Sequence, residues 1–181
     1  MTTRELGIVD ALVISLPGGE DERGKGIEFF RQDRVSDALG YEFTPVQIAL
    51  LQNNRGALRG LHLASGVRQG KLITCVTGRI WDVLVDLRPV SPTRGHYAAV
   101  ELSGARSESV YCPPGVAHGF VTLNPDSIVT LTVDVPFADV AERSIDAFDP
   151  DLAIPWPLVE EECIRSERDQ SAPPLSQMGA F

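Results

Sequence analysis

The 181-residue chain has only three histidines and three cysteines, and its 16 lysines and arginines are outnumbered by 25 acidic residues, for a net charge of −9. Each shortage excludes something. Cys75, Cys112 and Cys163 are odd in number and show no CxxC spacing, so no disulfide framework is expected and a reducing compartment suits them. His62, His96 and His118 are widely separated and H-x-H is absent, which disfavours a cupin-type metal site; the expectation is no metal. A sequence pI near 4.8 argues against nucleic-acid binding through a broad basic surface. No apolar run approaches the roughly 18 residues of a membrane helix, and "MTTRELGIVD" has no signal-peptide core, so the expected home is the cytoplasm, off the membrane. Also missing are G-x-S-x-G, a Walker A loop and a strand-linked G-x-G-x-x-G, so nucleophilic serine chemistry and the common nucleotide loops have no local support.

What is present is alternation. "KLITCVTGRIWDVLVDLR" (71–88) predicts a strand, a tight turn at Thr77-Gly78 and a second strand. In that second strand Trp81, Val83, Val85 and Leu87 share one face, while Asp82, Leu84 and Asp86 share the other. "ALVISLP" near the N-terminus, "YAAVELS", "SVYCP", "GFVTL" and "SIVTLTVDV" continue the pattern, separated by "SPTRG", "SGARS", "PPG" and "NPD" turns. Many short strands at this spacing predict a mainly β protein, an antiparallel sandwich or jelly-roll barrel. "GIEFFRQDRVSDALG" predicts one short helix ending at Gly40. The Pro-rich acidic tail carries apolar anchors at Ile154, Trp156 and Leu158 and is expected to lie across the barrel. The expectation is therefore a single domain over 1–181 with N- and C-terminal extensions packed on it.

Four cations, Arg55, Arg59, Arg68 and Lys71, fall within a short stretch of this acidic chain, around His62. The group is either a solvated loop face or a clamp for a diphosphate, which the arginine fork fits; Arg23 in "DERGKG" is a further candidate. His62 lies between Leu61 and Leu63 and points opposite to both in a strand. It is either a hydrogen-bonded structural histidine or a base. His118, just past Pro113-Pro114-Gly115, is either a strand-end structural group or an inward-pointing ligand, and His96 is expected at the surface.

The series "DERG…E" (21–28), "RGALRGLHL", "QGKLITCVTGRIWDVLVDLR", "SPTRG", "YCPPGVAHGFVTL" and "DPDLAIPWP" resembles the dTDP-4-dehydrorhamnose 3,5-epimerase family, in family order and over most of the chain. The resemblance implies a cupin-like jelly-roll homodimer with short peripheral helices, no metal and no organic cofactor, acting on a dTDP-linked 4-keto-6-deoxysugar. It implies His62 as the base that removes a proton beside the 4-keto group, Asp169 as its carboxylate partner and Lys71 near the developing enolate oxygen. Arg23 and Arg59 match diphosphate ligands, and Glu28, Gln47 and His118 match further substrate-binding positions. Three positions depart from the pattern. Phe137 stands where the family has the tyrosine that returns the proton on the far face, and no tyrosine follows Tyr111. Ala49 stands for a usual asparagine and Gly26 for a usual aromatic. A phenyl ring donates no proton, so the expectation includes epimerisation of one carbon only, at C3. The alternative is a diverged isomerase, cyclase or dehydratase acting on another carbonyl substrate in secondary metabolism.

Overall fold

The computed structural model describes residues 1–178. In chain order the strands are β1 (Thr2–Glu5), β2 (Leu12–Ser15), β3 (Gly18–Asp21) and β4 (Gly24–Ile27), then helix α1 (Gln32–Leu39). There follow β5 (Gln47–Asn53), β6 (Leu58–Ser65), β7 (Lys71–Thr77), β8 (Arg79–Asp86), β9 (Tyr97–Ser103), β10 (Glu108–Cys112), β11 (Val116–Thr122), β12 (Ser127–Val133), β13 (Ala141–Ser144) and the one-turn helix α2 (Glu167–Gln170). Two antiparallel sheets face each other as a jelly roll, one ordered β1-β2-β10-β7-β12-β5 and the other β13-β6-β11-β8-β9. No helix among the described residues is long and apolar enough to cross a membrane.

Period-two alternation sorts the side chains into three layers. Ile73, Cys75, Ile80, Leu84, Val110, Phe120 and Val129 point between the sheets and form the inner core. Val83, Val85, Leu61 and Leu63 point outward from the five-stranded sheet, where Ile145, Leu152 and Leu158 cover them, with Ile154 and Trp156 at the margin. The tail thus lies across the barrel wall, and β8 presents the two faces read from its sequence. On the outside of the six-stranded sheet, Val35 of α1 packs with Ile14, Phe43, Leu72 and Tyr111.

Three details differ from the sequence reading. The turn at Thr77-Gly78 does not make a hairpin: β7 pairs with β10 and β12, and β8 with β9 and β11, so the turn carries the chain from one sheet to the other. The helix begins only at Gln32, because Gly24–Ile27 is used to pair with β3; it ends as expected at Gly40, whose φ of 72° only glycine adopts cheaply. β11 starts at Val116, so His118 sits inside a strand rather than at its end.

One contact fixes the geometry of the site. β6 and β11 approach so closely that a Cβ on Gly60 would lie 2.6 Å from Gly119 Cα and 2.7 Å from His118 O, and one on Gly119 would lie 2.8 Å from Arg59 O. Gly60 also has φ +114°, outside the range open to other residues. The ladder shifts register between His118 and Phe120 at this point, and above the shift His118 pairs directly with His62. Gly60→Ala combines overpacking with a strained φ, and is expected to cost about 2–4 kcal/mol. A lower urea midpoint with unchanged slope is the signature to measure.

Candidate active site

A cavity of about 660 Å³ opens between the sheets along β5 and β6, walled on one side by the tail. Arg59, His62, His118, Arg168 and Asp169 line it. Leu61 and Leu63 belong to the outer layer, which turns His62 inward as alternation requires.

Asp169 reaches His62 because of a local signal in "SERD". Ser166 caps α2, its hydroxyl accepting the Asp169 N–H at 3.2 Å, and the carboxylate is left to face the barrel. His62 Nε2 donates to Asp169 Oδ1 at 2.8 Å, while Asp169 Oδ2 accepts the Gly60 N–H at 3.3 Å. That arrangement holds the ring and leaves Nδ1 to take a proton. Burial alone would raise the Asp169 pKa. The hydrogen bond and charge of His62, the Gly60 N–H and Arg168 outweigh it and hold the carboxyl below its usual value.

Arg168 lies against the base. Its Nη2 is 2.7 Å from His62 Nε2 and 3.4 Å from Nδ1, and its Nη1 is 2.6 Å from Glu142 Oε1. Glu142 Oε1 stands 3.8 Å from His62 Nδ1. On the adjoining wall Arg59 Nε donates to Asn53 Oδ1 at 2.8 Å, and the Asn53 amide is itself tied to Leu51 O and Ser127 O.

A second histidine–carboxylate pair lies beside the first. His118 Nε2 is 2.7 Å from Asp82 Oδ1, both residues are buried, and Asp82 Oδ2 has no partner among the described residues. Burial pushes the Asp82 carboxyl up, against the opposing pull of the His118 charge and hydrogen bond.

The cavity therefore gathers Arg59, His62, His118 and Asp169 of the sequence-predicted residues. Lys71, Gln47 and Phe137 lie at the neighbouring barrel end and not on its wall. Lys71 pairs with Val133 and Cys112, Gln47 pairs with Val133, and the Gln47 Oε1 accepts the Phe137 N–H at 2.9 Å. Arg23 is not brought in: it sits on the exposed β3–β4 hairpin, bonded to Asp21. Glu28 is engaged by Arg34 at 3.0 Å and Arg31 at 3.8 Å. Arg68 lines a separate cavity of about 970 Å³ together with Tyr41, Tyr111 and Asp134, so the run of four cations is not one clamp. His96 is exposed, as expected. Sequence reasoning missed Arg168, whose adjacency to Asp169 in a capped turn was the available signal, and Asp82, placed on the correct face but given no role. Among the described residues no group of three or more His, Cys, Asp or Glu side chains could hold a metal ion.

A histidine oriented by a carboxylate, in a cleft with guanidinium groups, characterises enzymes that move protons on anionic substrates. The family model described as dTDP-4-dehydrorhamnose 3,5-epimerase matches residues 5–177, and the chain belongs to that family. It is 37% identical over 181 residues to a dTDP-4-dehydrorhamnose 3,5-epimerase of Mycolicibacterium smegmatis, covering 99% of this chain and 89% of the relative. It is 36% identical over 157 residues to a dTDP-4-dehydro-6-deoxyglucose 3-epimerase of a Streptomyces species, covering 86% and 80%. The crystal structure of the dTDP-6-deoxy-D-glucose-3,5-epimerase of Legionella pneumophila, in complex with dTDP-4-keto-L-rhamnose, superposes with a TM-score of 0.91 at 35% identity, covering 98% and 94% of the two chains.

The depressed Asp169 pKa has a definite sign. A folded-state carboxyl that titrates below its unfolded value contributes stability that is present above the ordinary value of about 3.9 and is lost as pH falls through the lower folded value. Asp169→Asn is expected to be less stable than the parent at pH 7, with the gap closing on acidification below about pH 4. Urea titrations at several pH values check this; a pH-independent gap contradicts it.

Proposed function

We propose that this protein epimerises a dTDP-linked 4-keto-6-deoxyhexose, with His62 as the base. The observation that carries the proposal is the His62–Asp169 pair at 2.8 Å inside a cavity that also holds Arg59 and Arg168. A proton on carbon next to a ketone is acidic enough for a neutral imidazole to remove, and Asp169 stabilises the imidazolium that results. Guanidinium groups supply fork-shaped donors for a diphosphate. The family holds 3,5-epimerases and 3-epimerases alike, as the names of the relatives state. Phe137 has no hydroxyl to give, and this favours exchange at a single carbon, C3.

The working unit in this proposal is a homodimer in the cytoplasm. β5 is an edge strand whose outward side chains Ile48 and Leu50 are 58% and 63% exposed, and an open apolar edge is ordinarily covered. The exposed β3–β4 hairpin gives Arg23 the reach to serve a second copy, which accounts for its distance from the cavity of its own chain. The three unpaired cysteines suit a reducing compartment.

Two experiments test these statements. With a dTDP-4-keto-6-deoxyglucose substrate in D₂O, deuterium is expected at C3 alone, and His62→Ala is expected to lower the rate by about 10²–10⁴-fold. Deuterium at both C3 and C5 with formation of the L-sugar removes the single-carbon reading, and full activity of the His62 variant removes the base. In sedimentation experiments the parent is expected to run as a dimer and Leu50→Lys as a monomer; a monomeric parent defeats the dimer.

A further inference from the structure

Inverting a carbon requires a base on one face of the sugar and an acid on the other. The base side is the five-stranded sheet: His62 on β6 and its cross-strand neighbour His118 on β11 both point inward from that wall. Returning a proton from His118 would deliver it to the side it left. The acid has to come from the facing six-stranded sheet.

That wall offers few acids. Its inward residues near the site include Leu51, Ile73, Val129 and Leu131, which have no proton to give. Cys112 shares the face, and burial pushes its thiol up to about 12. The hydroxyls of Tyr41 and Tyr111 are 2.6 Å apart, Tyr111 belonging to the opposite, outer layer of the sheet, and Tyr97 lies at the exposed end of β9 in the other sheet. These are the three tyrosines of the chain. Phe137 is a phenyl ring.

Lys71 remains. It shares the inward face of β7 with Ile73 and Cys75, and it is 4% exposed. Among the described residues its side chain makes no hydrogen bond or ion pair, which leaves the ammonium available to a bound molecule. Lys71 pairs with Val133, two residues along β12 from Leu131, and Leu131 lines the cavity that holds His62 and His118. Its backbone is pinned: the Gly70 N–H donates to Asp134 Oδ1 at 2.7 Å, and Gln69 Nε2 to Val135 O at 2.7 Å. The same two bonds tie the start of β7 to the segment leading into Phe137.

We propose, on the reading that His62 forms the enolate of a 4-keto sugar, that Lys71 is the acid that returns the proton on the opposite face. His62 takes the carbon-bound proton and becomes imidazolium; the C–H electron pair becomes the enolate double bond and the negative charge moves to the ketone oxygen. The Lys71 ammonium then gives a proton to the same carbon from the other side, the carbonyl re-forms, and the lysine is left as a neutral amine. Exchange with water takes the proton from His62 and restores that of Lys71, so charge and atoms balance over one turnover.

The test separates two readouts in D₂O with a dTDP-4-keto-6-deoxyhexose: deuterium entering recovered substrate with retained configuration, and formation of the epimer. Lys71→Arg keeps the positive charge near the enolate but cannot release a proton at neutral pH. If Lys71 is the acid, the ratio of epimer formed to deuterium exchanged falls by about a hundred-fold or more. Should arginine prove too large for the buried position, judged by thermal unfolding and by dTDP binding, Lys71→Gln supplies the same ratio. If exchange and epimerisation decline together, Lys71 stabilises the enolate without donating, and this inference fails while the proposed function stands. If the parent protein exchanges no proton of the substrate, the proposed function and this inference fail together.

Discussion

The approach of β6 to β11 at Gly60 and Gly119 is the constraint on which the site depends. Two backbones meet there with no side chain between them, and a Cβ on either glycine would strike main-chain atoms. The contact sets the register that makes His62 and His118 cross-strand neighbours. It also leaves the Gly60 N–H free of its ladder and available to Asp169 Oδ2, so the carboxylate is held by the strand that carries the histidine it serves. The orientation of the proposed base is therefore set by backbone geometry and secured by a side chain more than a hundred residues away in sequence.

The two histidines experience different surroundings despite adjoining positions. His62 is partly open to the cavity, shares Asp169 with a backbone amide and has Arg168 and Glu142 at its edge. His118 is sealed, with a carboxylate of its own whose second oxygen is unpartnered. In a low-dielectric interior an unpartnered oxygen is a high-cost feature, retained where a polar network has work to do. The division follows from strand position: both residues point inward, but β6 lies nearer the edge and β11 is the central strand of its sheet.

Much of the fold was legible because alternation is a local property. The two faces of β8, the outward leucines around His62 and the stop at Gly40 were all readable from short windows. Pairing was not, since nothing in Thr77-Gly78 says whether a turn closes a hairpin or crosses between sheets. His118 inside its strand and the late start of α1 were missed for the same reason: Val116 and Gly24–Ile27 are recruited by distant partners. Within the site, Arg59 and His62 share one strand, but three residues apart they fall on opposite faces of a regular strand, and only the register shift at Gly60 accompanies their meeting at one cavity. The separation of Arg68 from them could not be read from spacing either, because β7 turns into the other sheet. Arg168 looked like part of a solvated charged tail until the Ser166 cap folded it against His62.

Phe137 lies in a single turn after β12, outside every ladder, and its backbone is held through its N–H by Gln47. That hydrogen bond is indifferent to what the ring carries at its para position. A hydroxyl can therefore be gained or lost there without disturbing a strand register, a core layer or the histidine across the barrel. Position 137 is thus open to change on a connector, while the strands that carry His62 and His118 stay fixed. A side chain on such a connector can be exchanged without the folding problem having to be solved again.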